Sequence, residues 1–159
     1  MNEPEAFAAI RESTTGVIST MLSLEACPGE ASQQHDPPPL NGVMALLSFT
    51  GDWVGSGVLY CHEKLACRLS SAMLLSEVTE VNNDVLDGIG ELGNMVLGNV
   101  KDRLESMVGA LAMSVPTVVY GRNFQTRTNL HRNWLIVPFQ IGDDTLEVRL
   151  CLSPKIKPA

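Results

Sequence analysis

Glu91 and Asn94 stand three residues apart in the run Asp87-Gly88-Ile89-Gly90-Glu91-Leu92-Gly93-Asn94-Met95-Val96-Leu97-Gly98-Asn99-Val100-Lys101. On a helix, a carboxylate and an amide at that spacing share one face. The amide has no useful pKa, so Asn94 is no general base. It donates and accepts hydrogen bonds at once, which suits it to hold a water molecule in one orientation. Phosphoryl transfer asks little covalent chemistry of a protein, and placing an in-line water is much of the task. A carboxylate beside the amide can grip a lysine or arginine on a partner.

The spacing alone is unspecific. With 11 Glu and 9 Asn in the chain, chance supplies about 0.6 matches to Glu-x-x-Asn. A second match, Glu80-Val81-Asn82-Asn83, falls where a helix begins, and Asn83 is explained there as a cap. For Glu91 and Asn94 the competing reading is a solvated helix face.

The elements that must position the pair follow from periodicity. Asn82-Asn83-Asp84 offers N-cap chemistry for a long helix reaching about Val108. On a helical wheel Val85, Ile89, Leu92, Val96, Val100 and Met107 fall on one side. Asp87, Glu91, Asn94, Gly98 and Lys101 fall nearly opposite. Gly90, Gly93 and Gly98 are costly in a helix interior, and close approach by another surface is one reason to have them.

Around this helix the spacing predicts a first helix over 4–24, with Phe7, Ile10, Val17, Ile18, Met21 and Leu22 recurring. An irregular surface loop follows over 27–41. Strands over 43–50 and 53–61 form a hairpin, with Gly55 and Gly57 marking a bulge or a close backbone contact. A helix over 63–76 places Leu65, Leu69, Met73 and Leu74 on one side. A strand over 116–120, a polar loop over 121–129 and a hairpin of 134–141 with 145–152 complete the chain. Clustered strands and segregated helices predict an α+β fold, with helices packed on one face of a largely antiparallel (mixed) sheet. Residues 1–159 are read as one domain, its core about 5–152 and its tail over 153–159 loose.

The 18 acidic residues against 11 basic ones leave a formal charge of −7. No basic stripe is present, so neither nucleic acid nor an anionic membrane surface is an expected partner. The N-terminus lacks the apolar stretch of a signal peptide, no apolar run approaches a membrane helix, and a cytoplasmic location is expected. Cys27, Cys61, Cys67 and Cys151 form no Cys-x-x-Cys and read as buried thiols in a reducing compartment.

The string Asp87-x-x-x-Glu91-x-x-Asn94, set in Gly90-Glu91-Leu92-Gly93-Asn94-Met95 and followed by Gly98-Asn99-Val100-Lys101, closely resembles the signature helix of the CheC/CheX/FliY phosphatases of bacterial chemotaxis. Pro116, some twenty residues downstream at the start of a strand, matches a proline the family tends to carry there. The first helix also looks like the CheX N-terminus. The resemblance implies hydrolysis of the aspartyl phosphate of a CheY-type response regulator. Asn94 would enter the regulator's active site and orient the attacking water, Glu91 would pair with the regulator's lysine, and Asp87 and Gly98 would support the site. The Mg²⁺ would be the regulator's, leaving this chain without a cofactor or metal of its own. Two-site members carry a second Glu-x-x-Asn in the first helix. Here that helix has Glu12-Ser13-Thr14-Thr15, which implies one site per chain, as in CheX, and a homodimer joined through its sheet. The alternative is a non-catalytic regulator-binding or scaffold module using the same helix face.

Other chemistry-bearing residues rank lower. Cys61, His62 and Cys67 fit no common zinc spacing. His35 in a polar loop and His131 at the opening of a strand give a Ser-His-Asp system no support. Arg122, Arg127 and Arg132 read as a solvated loop, Trp53 and Trp134 as packing residues, and the methionines mainly as helical core, with Met95 bordering the site face.

Overall fold

A computed structural model describes residues 1–130 and 132–156. The element order is α1 (Glu3–Leu22), β1 (Cys27–Pro28), β2 (Ser32–Gln34), β3 (Leu40–Gly51), β4 (Trp53–Cys61), α2 (Glu63–Leu74), α3 (Asn83–Val108), β5 (Leu111–Met113), β6 (Thr117–Phe124), β7 (Trp134–Ile141) and β8 (Asp144–Pro154). The eight strands form one sheet in the order β1-β7-β8-β4-β3-β5, with β2 also on β7 and β6 also on β3. Every described pairing is antiparallel. The α+β architecture expected from the sequence is the one observed. No described helix is long and apolar enough to cross a membrane.

Alternation along the central strands separates two apolar layers. Val43, Ala45, Leu47 and Phe49 of β3 join Leu59 of β4 and Val148 and Leu150 of β8 beneath the helices. Met44, Val58, Tyr60, Trp134 and Ile136 form a smaller cluster on the other face, with Phe124 and Leu130 packed against it. This is the period of two that a sheet buried on both faces requires.

α3 begins where Asn82 accepts a hydrogen bond from the Val85 N–H at 3.0 Å. The cap is therefore Asn82, and Asn83 is the first helical residue. Val85, Ile89, Leu92, Val96 and Val100 are fully buried, as the wheel predicts. Ser70 of α2 donates to the Val85 carbonyl at 3.3 Å and ties the two helices together.

The helix lies very close to the sheet. A Cβ on Gly93 would stand 2.7 Å from the Ala45 Cβ, and one on Gly90 would stand 3.0 Å from Val118 Cγ2. From the sheet side, a Cβ on Gly57 would meet Leu97 Cδ2 at 2.7 Å. Close approach thus accounts for Gly90, Gly93 and Gly57. It does not account for Gly98, whose Cβ would meet only Met113 Cε at an ordinary 3.6 Å.

Several boundaries differ from the sequence reading. The segment expected to be a loop over 27–41 contributes β1 and β2 to the β7 edge and the first residues of β3. Such two- and three-residue strands carry no periodic signal, since their pairing is dictated by the backbone of β7. β5 was not expected, and β6 runs on through Phe124 into the segment read as polar loop. Ser153 and Pro154 are the end of β8, paired with Val54 and Trp53, and not the start of a loose tail. Residues 157–159 lie outside the described residues. α1 and α2 stop at Leu22 and Leu74 because Ser23 and Leu75 turn into the left-handed region. Cys61, Cys67 and Cys151 are buried as expected, but Cys27 is exposed.

The far end of α3 is fixed by Glu105, which accepts from the Leu111 N–H at 2.9 Å and from Lys101 Nζ at 3.0 Å. The Leu111 N–H first, and then Lys101, hold its carboxyl below the ordinary glutamate range. A carboxylate so depressed stabilises the fold at pH above the ordinary range and loses that contribution as pH falls through its folded value. In urea unfolding followed from about pH 7 to about pH 3, Glu105→Gln is expected to flatten the acid limb of the stability curve; an unchanged limb would refute the assignment. A second prediction contrasts two glycines. Gly93→Ala should destabilise by about 1–3 kcal/mol through overpacking, whereas Gly98→Ala should stabilise by about 0.5–1 kcal/mol through helix propensity. Unfolding midpoints of the two variants decide it.

Candidate active site

Asp87, Glu91 and Asn94 project from the exposed stripe of α3, opposite the face that packs inward. Among the described residues, none of the three side chains has a hydrogen bond or ion pair. Charged side chains toward the C-terminal end of the same helix are engaged. Lys101 binds Asp102 at 2.9 Å and Glu105 at 3.0 Å, which together raise its pKa, and Arg103 pairs with Glu12 of α1. Lys101 falls on the predicted site face but is spent on these partners.

The stripe forms a ridge between two hollows. One, of about 410 Å³, is floored by Gly90, Val115, Pro116 and Val118 and flanked by Glu91 and Asn94. Pro116 therefore lies beside the Glu91–Asn94 pair, on the approach to β6. The other, of about 390 Å³, is walled by Met21, Met73, Leu74 and Met95, with Asp84, Asp87 and Glu91 also lining it. This second hollow is absent from the sequence reading, which assigned Met21, Met73 and Leu74 to apolar helix faces. Met21 is 56% exposed and Leu74 46% exposed. Both are near the ends of their helices, where the inward stripe runs past the core. An apolar residue in a last helical turn is the only signal that could have found it.

The remaining candidates do not converge. Cys61 is buried in the helix-side core and burial pushes its thiol up to about 12. Burial likewise raises Cys67 and Cys151, so all three thiols stay protonated and non-nucleophilic. His62 caps α2 with no side-chain hydrogen bond and lies 5.8 Å from the Tyr60 ring. Among the described residues no three His, Cys, Asp or Glu are placed to hold a metal ion. Arg132 stacks over Trp53 at 5.5 Å, and Arg122 and Arg127 are exposed. His35 lies beyond the end of β2, and His131 lies outside the described residues. In α1, Ser13 and Thr14 are buried and Glu12 is held by Arg103, so that helix displays no second carboxylate–amide pair.

The site is a ridge between two hollows and not an enclosed cleft. Solved structures share the fold. A CheC-like superfamily protein from Shewanella sp. PV-4 matches with a TM-score of 0.86 at 27% identity, covering 96% of this chain and 99% of that one. The CheX of the CheX-CheY-BeF3-Mg complex from Borrelia burgdorferi matches with a TM-score of 0.80 at 21% identity, covering 92% and 97%. The CheY-P phosphatase CheX of Thermotoga maritima is 28% identical over 112 residues, 70% of this chain and 72% of that protein. The chain belongs to the chemotaxis phosphatase CheX family, whose model matches residues 43–140. It is accordingly a phosphatase, and the match spans β3 to β7 with the whole of α3.

Proposed function

We propose that this chain hydrolyses the aspartyl phosphate of a CheY-type response regulator, with Asn94 orienting the in-line water and Glu91 pairing with the regulator's active-site lysine. The observation that carries the reading is the Glu91–Asn94 pair on the exposed face of α3, unpartnered among the described residues. Insertion of the ridge brings the Asn94 amide to the phosphoryl group. Its carbonyl oxygen accepts from the water and its NH₂ donates, so the water's lone pair faces phosphorus. Water adds as the P–O bond to the regulator's aspartate breaks, releasing inorganic phosphate and restoring the carboxylate. The contribution is positional, the kind that a small misplacement can reduce on the order of 100-fold. Glu91 fixes register through a charge-assisted contact, and Asp87 and Gly98 flank the pair.

The Mg²⁺ of the reaction is read as the regulator's; the Borrelia burgdorferi CheX complex, which includes CheY, BeF3 and Mg²⁺, supports that reading. Residues 1–159 are read as one CheX-like domain acting in the cytoplasm, where its partner would be. A homodimer would form through β6. This eight-residue strand pairs with β3 on one side, and no described strand covers its other edge. It contains neither Lys nor Pro, the residues that commonly blunt such edges.

Two measurements test these readings. With phosphorylated regulator, Asn94→Ala should release phosphate about 100-fold more slowly than wild type; equal rates would remove the assigned role. Glu91→Ala should weaken regulator binding, and unchanged affinity would refute the lysine pairing. For the dimer, light scattering should give twice the chain mass of 17.2 kDa, and a monomeric mass would reject it.

A further inference from the structure

The hollow beside the ridge carries three features at once. Its walls are apolar and flexible, with Met21, Met73, Leu74 and Met95 around a space of about 390 Å³. Its upper residues are unusually open: Met21 is 56% exposed, Leu74 46%, and the neighbouring Leu75 92%. Leu75 also holds a φ of 53°, a left-handed conformation that a leucine rarely adopts. Its rim is acidic, since Asp84, Asp87 and Glu91 all line it and none pairs with a cation among the described residues.

We propose that this hollow is a second docking point for the response regulator, receiving an apolar side chain that the regulator carries next to a lysine or arginine beside its phosphorylation site. The proposal rests on the reading of Glu91 and Asn94 as the working pair and adds to it what selects the regulator. Charge complementarity identifies the occupant. With Glu91 given to the regulator's active-site lysine, an apolar plug alone would still leave two carboxylates, Asp84 and Asp87, facing it, whereas a plug with an adjacent cation satisfies both wall and rim. A second copy of this chain is a poor occupant, because the self-contact proposed above uses the β6 edge, none of whose residues lines this hollow. Continuity points the same way, for Glu91 and Asp87 border both this hollow and the Pro116 groove. A regulator seated on the ridge therefore reaches the methionines without a second binding event. Methionine walls adapt to the shape of the inserted side chain, so the neighbouring charge does most of the discrimination.

The test uses each CheY-type regulator encoded in the same genome, phosphorylated with phosphoramidate for turnover and activated with beryllofluoride for binding. Met21→Asp and Leu74→Asp alter exposed positions, and thermal melts verify that both fold. Each should raise KM and the dissociation constant at least tenfold with kcat within twofold of wild type. Asn94→Ala should do the reverse, binding normally while turnover collapses. Values within twofold of wild type for both aspartate variants would overturn the proposal. So would a loss of self-association without a loss of regulator binding, which would assign the hollow to a second copy. If the wild type binds activated regulator but releases no phosphate, the hydrolase reading fails, and the binding ratios alone decide the hollow.

Discussion

Everything the site can do depends on how closely α3 is pressed onto the sheet. A helix displays a stiff row of polar side chains only when its opposite face is held at many points. Here Leu92, Val96 and Val100 are fully buried, each a contribution of about 1.5–3 kcal/mol. The contact is tightened where side chains are missing. Gly93 rests on Ala45 and Gly57 of β4 lies under Leu97, so helix and sheet approach at distances that a Cβ would prevent. Each helical glycine costs about 1 kcal/mol against alanine. That cost is offset locally, and the result is a ridge whose position is set by the core and not by a loop.

Such a ridge needs no tuned titrating groups. The thiol of Cys61, pushed up to about 12, sits in the core, raised first by burial and then by the neighbouring Asp144 and Cys67. In the proposed reading, the exposed stripe instead contributes a carboxylate and an amide whose useful property is direction. Enzymes that gather acid and base inside a cleft must exclude water themselves. A protein that lends one amide to a partner's active site can leave that exclusion, and the metal, to the partner. The absence of internal hydrogen bonds at Asp87, Glu91 and Asn94 among the described residues contrasts with the engaged Lys101, Arg103 and Glu105 on the same helix.

Much of this was legible in the residues because it is local. The α3 wheel, its asparagine cap, the β3–β4 and β7–β8 hairpins and the composition of the Glu91–Asn94 string each follow from neighbours within a few positions. What was illegible is set by distant chain. β1, β2 and β5 exist because β7 and β3 present free edges, which no pattern in Ser32-Gln33-Gln34 announces. The apolar hollow was hidden for a related reason. Met21 and Leu74 obey helical periodicity like core residues, and only the point at which α1 and α2 end relative to α3 leaves them open.

The order of the strands has a consequence for how the chain is made. β4 sits at the middle of the sheet with β3 on one side and β8 on the other. Its β8 neighbour, the last described strand, pairs Cys61 with Leu146 and Trp53 with Pro154. During synthesis β3, β4 and all three helices therefore emerge while one long side of β4 is still bare. That interval exposes a hydrophobic strand edge of the kind that invites mispairing. The centre of this sheet is completed by the last of its described strands, and until then the site helix stands over half a sheet.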